Sequence, residues 1–166
     1  QGLYKAKQSG RNTLQFFDSI LQAEMASRIN LLRDLRRAVE DEQLRLHYQP
    51  IVDADSQIIG HEALLRWQHP TLGMVPPETF IPLAEQVNLI LPLGIWVLVN
   101  ACLQIKAWEG DPLRSRWSVS VNISARQVHD IDFVSSVETV LERTGAHPNL
   151  LHLSLIHISE PTRRYA

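Results

Sequence analysis

Cysteine is almost missing from this chain. Cys102 is the single one among 166 residues and sits in an apolar run. That excludes an internal disulfide and any zinc site built on several thiolates, and it suits a reducing cytosol. A surplus of either charge is missing too, since 16 Lys and Arg stand against 18 Asp and Glu, a net charge of −2. Such a balance gives no electrostatic footprint for duplex nucleic acid or an anionic membrane, so any phosphate-bearing ligand must be held by local groups. The sequence opens Gln1-Gly2-Leu3-Tyr4-Lys5, without an initiator Met and without a charged-then-apolar leader, which predicts a piece of something longer. No internal repeat is visible.

With 45% apolar and 20% charged residues, the makeup is that of an ordinary globular protein with a sizeable core. The stretch from Gln86 to Ile105 has no formal charge and is long enough to span a bilayer. Asn88, Asn100 and Gln104, with Pro92 and Gly94, would each cost free energy in lipid, so a buried helix packed on a sheet is expected instead.

The pattern predicts helix over Tyr4 to Ser9 with Gly10 as its cap, then an extended Leu14 to Phe17. A second helix follows, with Met25, Ile29, Leu32, Leu35 and Val39 as its apolar stripe and Arg28, Arg33, Arg36 and Arg37 on a solvated face. Leu44 to Val52 and Ile58 to Trp67 alternate as strands around a turn at 53–57. A loop with Gly73, Pro76 and Pro77 leads to a short helix near Phe80 to Gln86 and a long one from about Leu91 to Trp108. A strand from Trp117 to Ser124, an amphipathic helix from Phe133 to Arg143 closed by Gly145, and a strand opening at Leu150 complete the series. Strands alternating with helices predict an α/β fold of parallel strands, apolar toward the helices and polar toward a barrel interior or cleft.

The polar strand positions carry the chemistry. Gly60, Glu62, Leu64 and Arg66 share one face, so a carboxylate and a guanidinium look into the same space. A carboxylate is a hard ligand for Mg²⁺ or Mn²⁺, and arginine can fork two donors onto phosphate oxygens. A buried salt bridge between the two is the competing account. Asn122, flanked by Ser120 and Ser124, is a poor choice for a hydrocarbon core and must have polar partners. A cation is one and a neighbouring strand is another.

These residues resemble a family. Gly60-His61-Glu62-Ala63-Leu64-Leu65-Arg66-Trp67 is similar to the signature of EAL domains, with the naming tripeptide at Glu62, Ala63 and Leu64. Tyr48-Gln49-Pro50-Ile51-Val52 before it stands in the family's order. So do Gly73 to Pro77, Phe80 to Glu85 and Val121-Asn122-Ile123-Ser124 after it, the likeness covering roughly residues 28–153. Leu3 to Asn12 resembles the last helix and turn of a GGDEF domain, so a tandem GGDEF and EAL protein is implied. The implied division is the end of a GGDEF domain at 1–18, a helical linker and first EAL helix at 19–40, a partial EAL domain at 41–153 and a tail at 154–166.

The resemblance implies the N-terminal half of a modified TIM-like (β/α)8 barrel that hydrolyses cyclic di-GMP to linear pGpG with two Mg²⁺ or Mn²⁺ ions. It implies Glu62 and Asn122 as metal ligands, Arg66 as a phosphate contact, and Gln49, Leu64 and Pro77 as further lining of the substrate site. Glu85 fits the pattern but is read as helix-terminal structure, and His61 points away from Glu62 and is read as a packed or surface residue. A cytoplasmic location is implied, with any membrane tether upstream, and homodimerisation through the EAL domain is common in the family.

The pattern breaks after Leu153. The family continues there with a glutamate that completes the first metal shell and then a Thr-Glu pair, and here Ser154-Leu155-Ile156-His157 follows. Leu153 to Arg163 resembles a translated sequencing-library adapter and is set aside from fold reasoning, His152, His157 and Glu160 included. The later Asp-Asp pair, Lys, Glu and Gln of the family have no counterpart here. Since a barrel of this class normally needs about 250 residues, the segment alone is expected to be inactive and poorly stable. An EAL domain that binds cyclic di-GMP or a partner without cleaving it is the alternative.

Overall fold

The computed structural model describes the backbone of residues 2–156 and the side chains of residues 17–155. It divides into two compact units, residues 1–37 and 38–166. The first unit is one helix, α1 (Gly2–Ala38). Two expectations change here, because the helix runs through Gly10 without a cap and residues 14–17 are helical, not extended. A strand needs a neighbour to pair with its backbone. None of the described strands takes up residues 14–17, and a helix satisfies the same groups locally. Met25 and Ile29 of the expected stripe are exposed.

The second unit is built on a five-stranded sheet. β1 (Leu44–Val52) and β2 (Ile58–His69) form an antiparallel hairpin, β4 (Ser118–Ser124) pairs parallel to β2, and β5 (Leu151–Ile156) pairs parallel to β4. The antiparallel first pair departs from the all-parallel expectation. Residues 53–57 are too few for a crossover and close a turn in which Asp53 accepts the N–H groups of Asp55 and Gln57, both at 2.9 Å. β5 extends to Ile156, three residues past the boundary drawn at Leu153. The rest of the expected tail, 157–166, lies outside the described residues.

One strand stands where the sequence predicts a loop. β3 (Gly73–Val75) pairs with Trp67, Gln68 and His69 of β2, whose pairing with β4 ends at Ala63 and Val121. β2 thus leaves β4 halfway along, and β3 takes the edge that β4 vacates. Gly73 (φ 71°) supplies the left-handed turn that brings it back. A wedge is left between the splayed ends of β2 and β4.

Helices cover one side of the sheet. α2 (Pro77–Gln86) begins with a proline at its first position, where no hydrogen bond is lost, and buries Phe80, Leu83 and Ala84. α3 (Ile90–Trp108) is the long apolar segment, and it sets Val97, Leu98, Ala101, Cys102 and Ile105 into a core shared with Val119, Val121 and Ile123 of β4 and Val140 of α5 (Phe133–Thr144). The burial expected of it is found, and Asn100 is satisfied inside the helix by donating to the Trp96 carbonyl at 2.8 Å. α5 ends at Gly145 (φ 67°), whose N–H returns to the Leu141 carbonyl at 2.9 Å.

The sheet end opposite the wedge is aromatic. His61 packs at ring-centroid distances of 5.1 Å from Trp108 and 4.9 Å from Trp117, and Tyr48 meets Trp108 edge-on at 5.8 Å. Burial lowers the His61 pKa and raises that of the Cys102 thiol. It pushes the Tyr48 phenol up to about 12, with Cys102 nearby adding to the effect. A raised phenol means that the folded state favours neutral Tyr48, so its contribution is intact below the usual value of 10 and is lost as pH climbs from 10 through about 12. In the full-length protein, a phenolate absorbance titration should therefore show a step near pH 12 that Tyr48→Phe removes. A step lost near pH 10 instead of near 12 would show that Tyr48 is not held neutral.

Candidate active site

The sheet's registers place the polar side chains. Gln49 of β1 is opposite Glu62 of β2, Glu62 is level with Ser120 of β4, and Ser120 is level with His152 of β5, making one row across a single face. The next row contains Leu64 of β2, level with His47, and Asn122 of β4, level with Ser154. Gly60 makes the close approach between β2 and β4, since a Cβ there would collide with the Ser118 side chain and come within 2.7 Å of its carbonyl oxygen.

Glu62 and Asn122 meet across that approach. The Asn122 Nδ2 donates to Glu62 Oε1 at 2.7 Å, and both side chains are half-buried. Glu62 is therefore held by the amide, and no ion pair joins it to Arg66 among the described residues. The contact gives Asn122 the polar partner on a neighbouring strand that its half-buried position calls for. Arg66, two positions past Leu64, donates one Nη1 hydrogen to the Leu65 carbonyl at 3.0 Å. No other hydrogen bond of its guanidinium is found among the described residues.

The wedge between β2 and β4 is a cavity of ≈ 140 Å³ whose walls include Leu64, Arg66, Pro77, Ile81, Asn122 and Gln127. It gathers Leu64, Arg66, Pro77 and Asn122 of the expected residues. Glu62 joins them through Asn122, and Gln49 stands beside Glu62 on β1. Glu85 is elsewhere, in the last turn of α2, its carbonyl accepting the Asn88 N–H at 3.4 Å. His61 is on the opposite face, among tryptophans, as expected of a packed residue. A roomier groove of ≈ 400 Å³ between α3 and α5 is lined by residues such as Ile95, Leu103 and Arg143 and has no acidic group in its wall.

As a cation site the donor set is of the right chemistry and incomplete. The carboxylate of Glu62 and the amide oxygen of Asn122 are hard oxygen donors suited to Mg²⁺ or Mn²⁺. On β5, His152 is level with the row of Glu62 and Ser154 with Asn122, and among the described residues no group of three His, Cys, Asp or Glu side chains could hold a metal. Gln127, three residues past Ser124 at the end of β4, is not among the residues expected at the site, although a Ser with Gln three residues on is the pattern of a reciprocal helix cap.

A mixed β-sheet layered with helices, with a carboxylate, an amide and a guanidinium gathered where β2 and β4 part, defines part of an α/β barrel. The EAL domain profile matches residues 32–163, and the chain belongs to the EAL domain family. It is 44% identical over 161 residues to the bifunctional diguanylate cyclase/cyclic di-GMP phosphodiesterase MucR of Pseudomonas aeruginosa, covering 96% of this chain and 23% of that protein. It is 46% identical over 154 residues to an uncharacterized signaling protein of Caulobacter vibrioides, covering 92% of this chain and 18% of that one. The structure of the MucR phosphodiesterase in complex with c-di-GMP superposes with a TM-score of 0.71 at 44% identity, over 75% of this chain and 50% of that one. The segment thus spans about a fifth of these two relatives and half of the solved domain, as befits part of a barrel.

Proposed function

We propose that the full-length protein hydrolyses cyclic di-GMP to linear pGpG and that this segment supplies the first part of its active site. The observation that carries the reading is the 2.7 Å contact between Glu62 and Asn122, at the rim of a cavity shared with Arg66. Two Mg²⁺ or Mn²⁺ ions, when bound, would activate water and polarise the phosphodiester. Glu62 and Asn122 supply oxygen ligands and hold each other in place, and Arg66 offers its free guanidinium hydrogens to a phosphate oxygen. Leu64 and Pro77 form an apolar wall for a base, with Gln49 able to hydrogen-bond beside Glu62. The segmentation at 18, 40 and 153, the cytoplasmic location and pairing through the EAL domain belong to the same reading.

A second reading follows from the donor set, which stops at Glu62 and Asn122: a domain that gains no further acidic ligand downstream would bind cyclic di-GMP without cleaving it. Incubating the full-length protein with cyclic di-GMP and Mn²⁺ and separating the nucleotides by chromatography decides the matter. Accumulation of pGpG is expected. Intact nucleotide together with calorimetric binding would establish the receptor, and no binding at all would remove both readings.

A further inference from the structure

Asn122 lies two residues from the end of β4, and that end is fixed by contacts separate from Glu62. Ser124 caps α4 (Ala125–Val128) in a reciprocal arrangement: its Oγ accepts the Gln127 N–H at 3.3 Å, and Gln127 Oε1 accepts the Ser124 N–H at 3.0 Å. Each of the two residues is 5% exposed, unusual burial for a glutamine. The Gln127 carboxamide rests against Gly94 of α3, where a Cβ would overlap its Nε2 and Cδ atoms. Arg126 adds a tie to the turn between α2 and α3, its Nε donating to Asn88 Oδ1 at 2.6 Å from a residue held at φ 60°.

A four-residue helix has too few hydrogen bonds of its own to hold a position. Its placement comes from these three anchors. Ser124 is still extended (φ −80°, ψ 154°), and the strand residue between it and Asn122 is Ile123, 2% exposed in the core. A displacement of the cap therefore has no slack to absorb it before Asn122. Among the described residues the Asn122 side chain hydrogen-bonds to Glu62 alone, so a small shift of β4 acts on that 2.7 Å contact directly.

We propose that Gln127 is a positioning residue: seated in the notch at Gly94 and locked to Ser124, it sets how Asn122 stands against Glu62 and thereby the affinity of the site for a divalent cation. This rests on reading Glu62 and Asn122 as metal ligands. Groups behind ligating side chains commonly change metal affinity by about 10- to 100-fold.

The probe is Mn²⁺ alone, titrated into the full-length protein without nucleotide and followed by the electron paramagnetic resonance of the free ion. Gln127→Ala should weaken binding roughly tenfold or more, whereas Gln127→Glu, which keeps an acceptor for the Ser124 N–H, should stay within about threefold of the parent. Gly94→Ala, which evicts Gln127 from its notch without deleting it, should reproduce the loss and serves if Gln127→Ala fails to fold. Thermal melts run alongside separate the roles. A lowered melting temperature with unchanged Mn²⁺ affinity in both variants overturns the proposal. Asn122→Ala is the reference: if it binds Mn²⁺ as tightly as the parent, the ligand reading itself is wrong and positioning falls with it. If it binds weakly while Gln127→Ala and Gly94→Ala bind normally, only the positioning role is lost.

Discussion

Glu62→Gln in the full-length protein should lower kcat/KM for cyclic di-GMP by about a thousandfold or more. The substitution keeps the length of the side chain and an oxygen that can accept from Asn122 Nδ2, so the 2.7 Å contact survives in form. What it removes is the negative charge, and a metal-bound phosphodiester depends on its ligands for several kcal/mol of transition-state stabilisation, each 1.36 kcal/mol being about tenfold in rate. The check is initial rates across a Mn²⁺ series beside a thermal melt. Loss of rate with an unchanged melt assigns Glu62 to chemistry. A loss of stability matching the loss of rate would return it to the buried-polar role, and an unimpaired rate would remove it from the site. Arg66 lies on the same face, so substituting it should raise KM more than it lowers kcat if its free hydrogens meet a ground-state phosphate.

Much of this site is legible in the sequence because strand alternation fixes direction without any knowledge of the partner. Once Ile58 to Trp67 is read as a strand, Glu62, Leu64 and Arg66 must share a face, and His61 must look the other way into the tryptophans. Asn122 is equally readable as an amide among serines. That these two strands would be neighbours is not readable from alternation, since the register of Glu62 with Ser120 is set by the close approach at Gly60, far away in the chain from its consequence at Asn122.

The misreadings have a common cause. β3 exists because β2 parts from β4 after Ala63 and leaves an edge open, a fact about the sheet that Gly73-Met74-Val75 alone does not announce. Leu14 to Phe17 has the apolar, aromatic makeup of a strand, but with no strand paired to it in the described structure the local hydrogen bonds of a helix prevail. Gln127 escaped notice for the opposite reason. Its Ser124 partner was seen as part of a polar strand face, and only the structure shows that face turning into a cap at its last residue.

Trp67→Ala should produce the largest loss of stability. Trp67 is fully buried where β2, β3 and α2 meet, its ring edge-on to Phe80 at 5.5 Å and to His69 at 5.2 Å. Its Nε1 donates to Gln43 Oε1 at 3.0 Å, and the Gln68 N–H donates to the Gln43 carbonyl at 2.9 Å, so the ring also fastens the entry to β1. Truncating a buried tryptophan costs about 3–5 kcal/mol, a large part of the roughly 5–15 kcal/mol that holds a domain together. Trp67→Phe keeps most of the ring and gives up the hydrogen bond, which should cost only about 1–2 kcal/mol plus whatever small cavity remains. Urea denaturation of the full-length proteins, followed by circular dichroism, orders the three by midpoint. The expected order is parent, Phe, then Ala, with the larger step between Phe and Ala. Equal losses in both variants would show that the Gln43 bond, and not the packing of β2 against α2, holds this end of the sheet together.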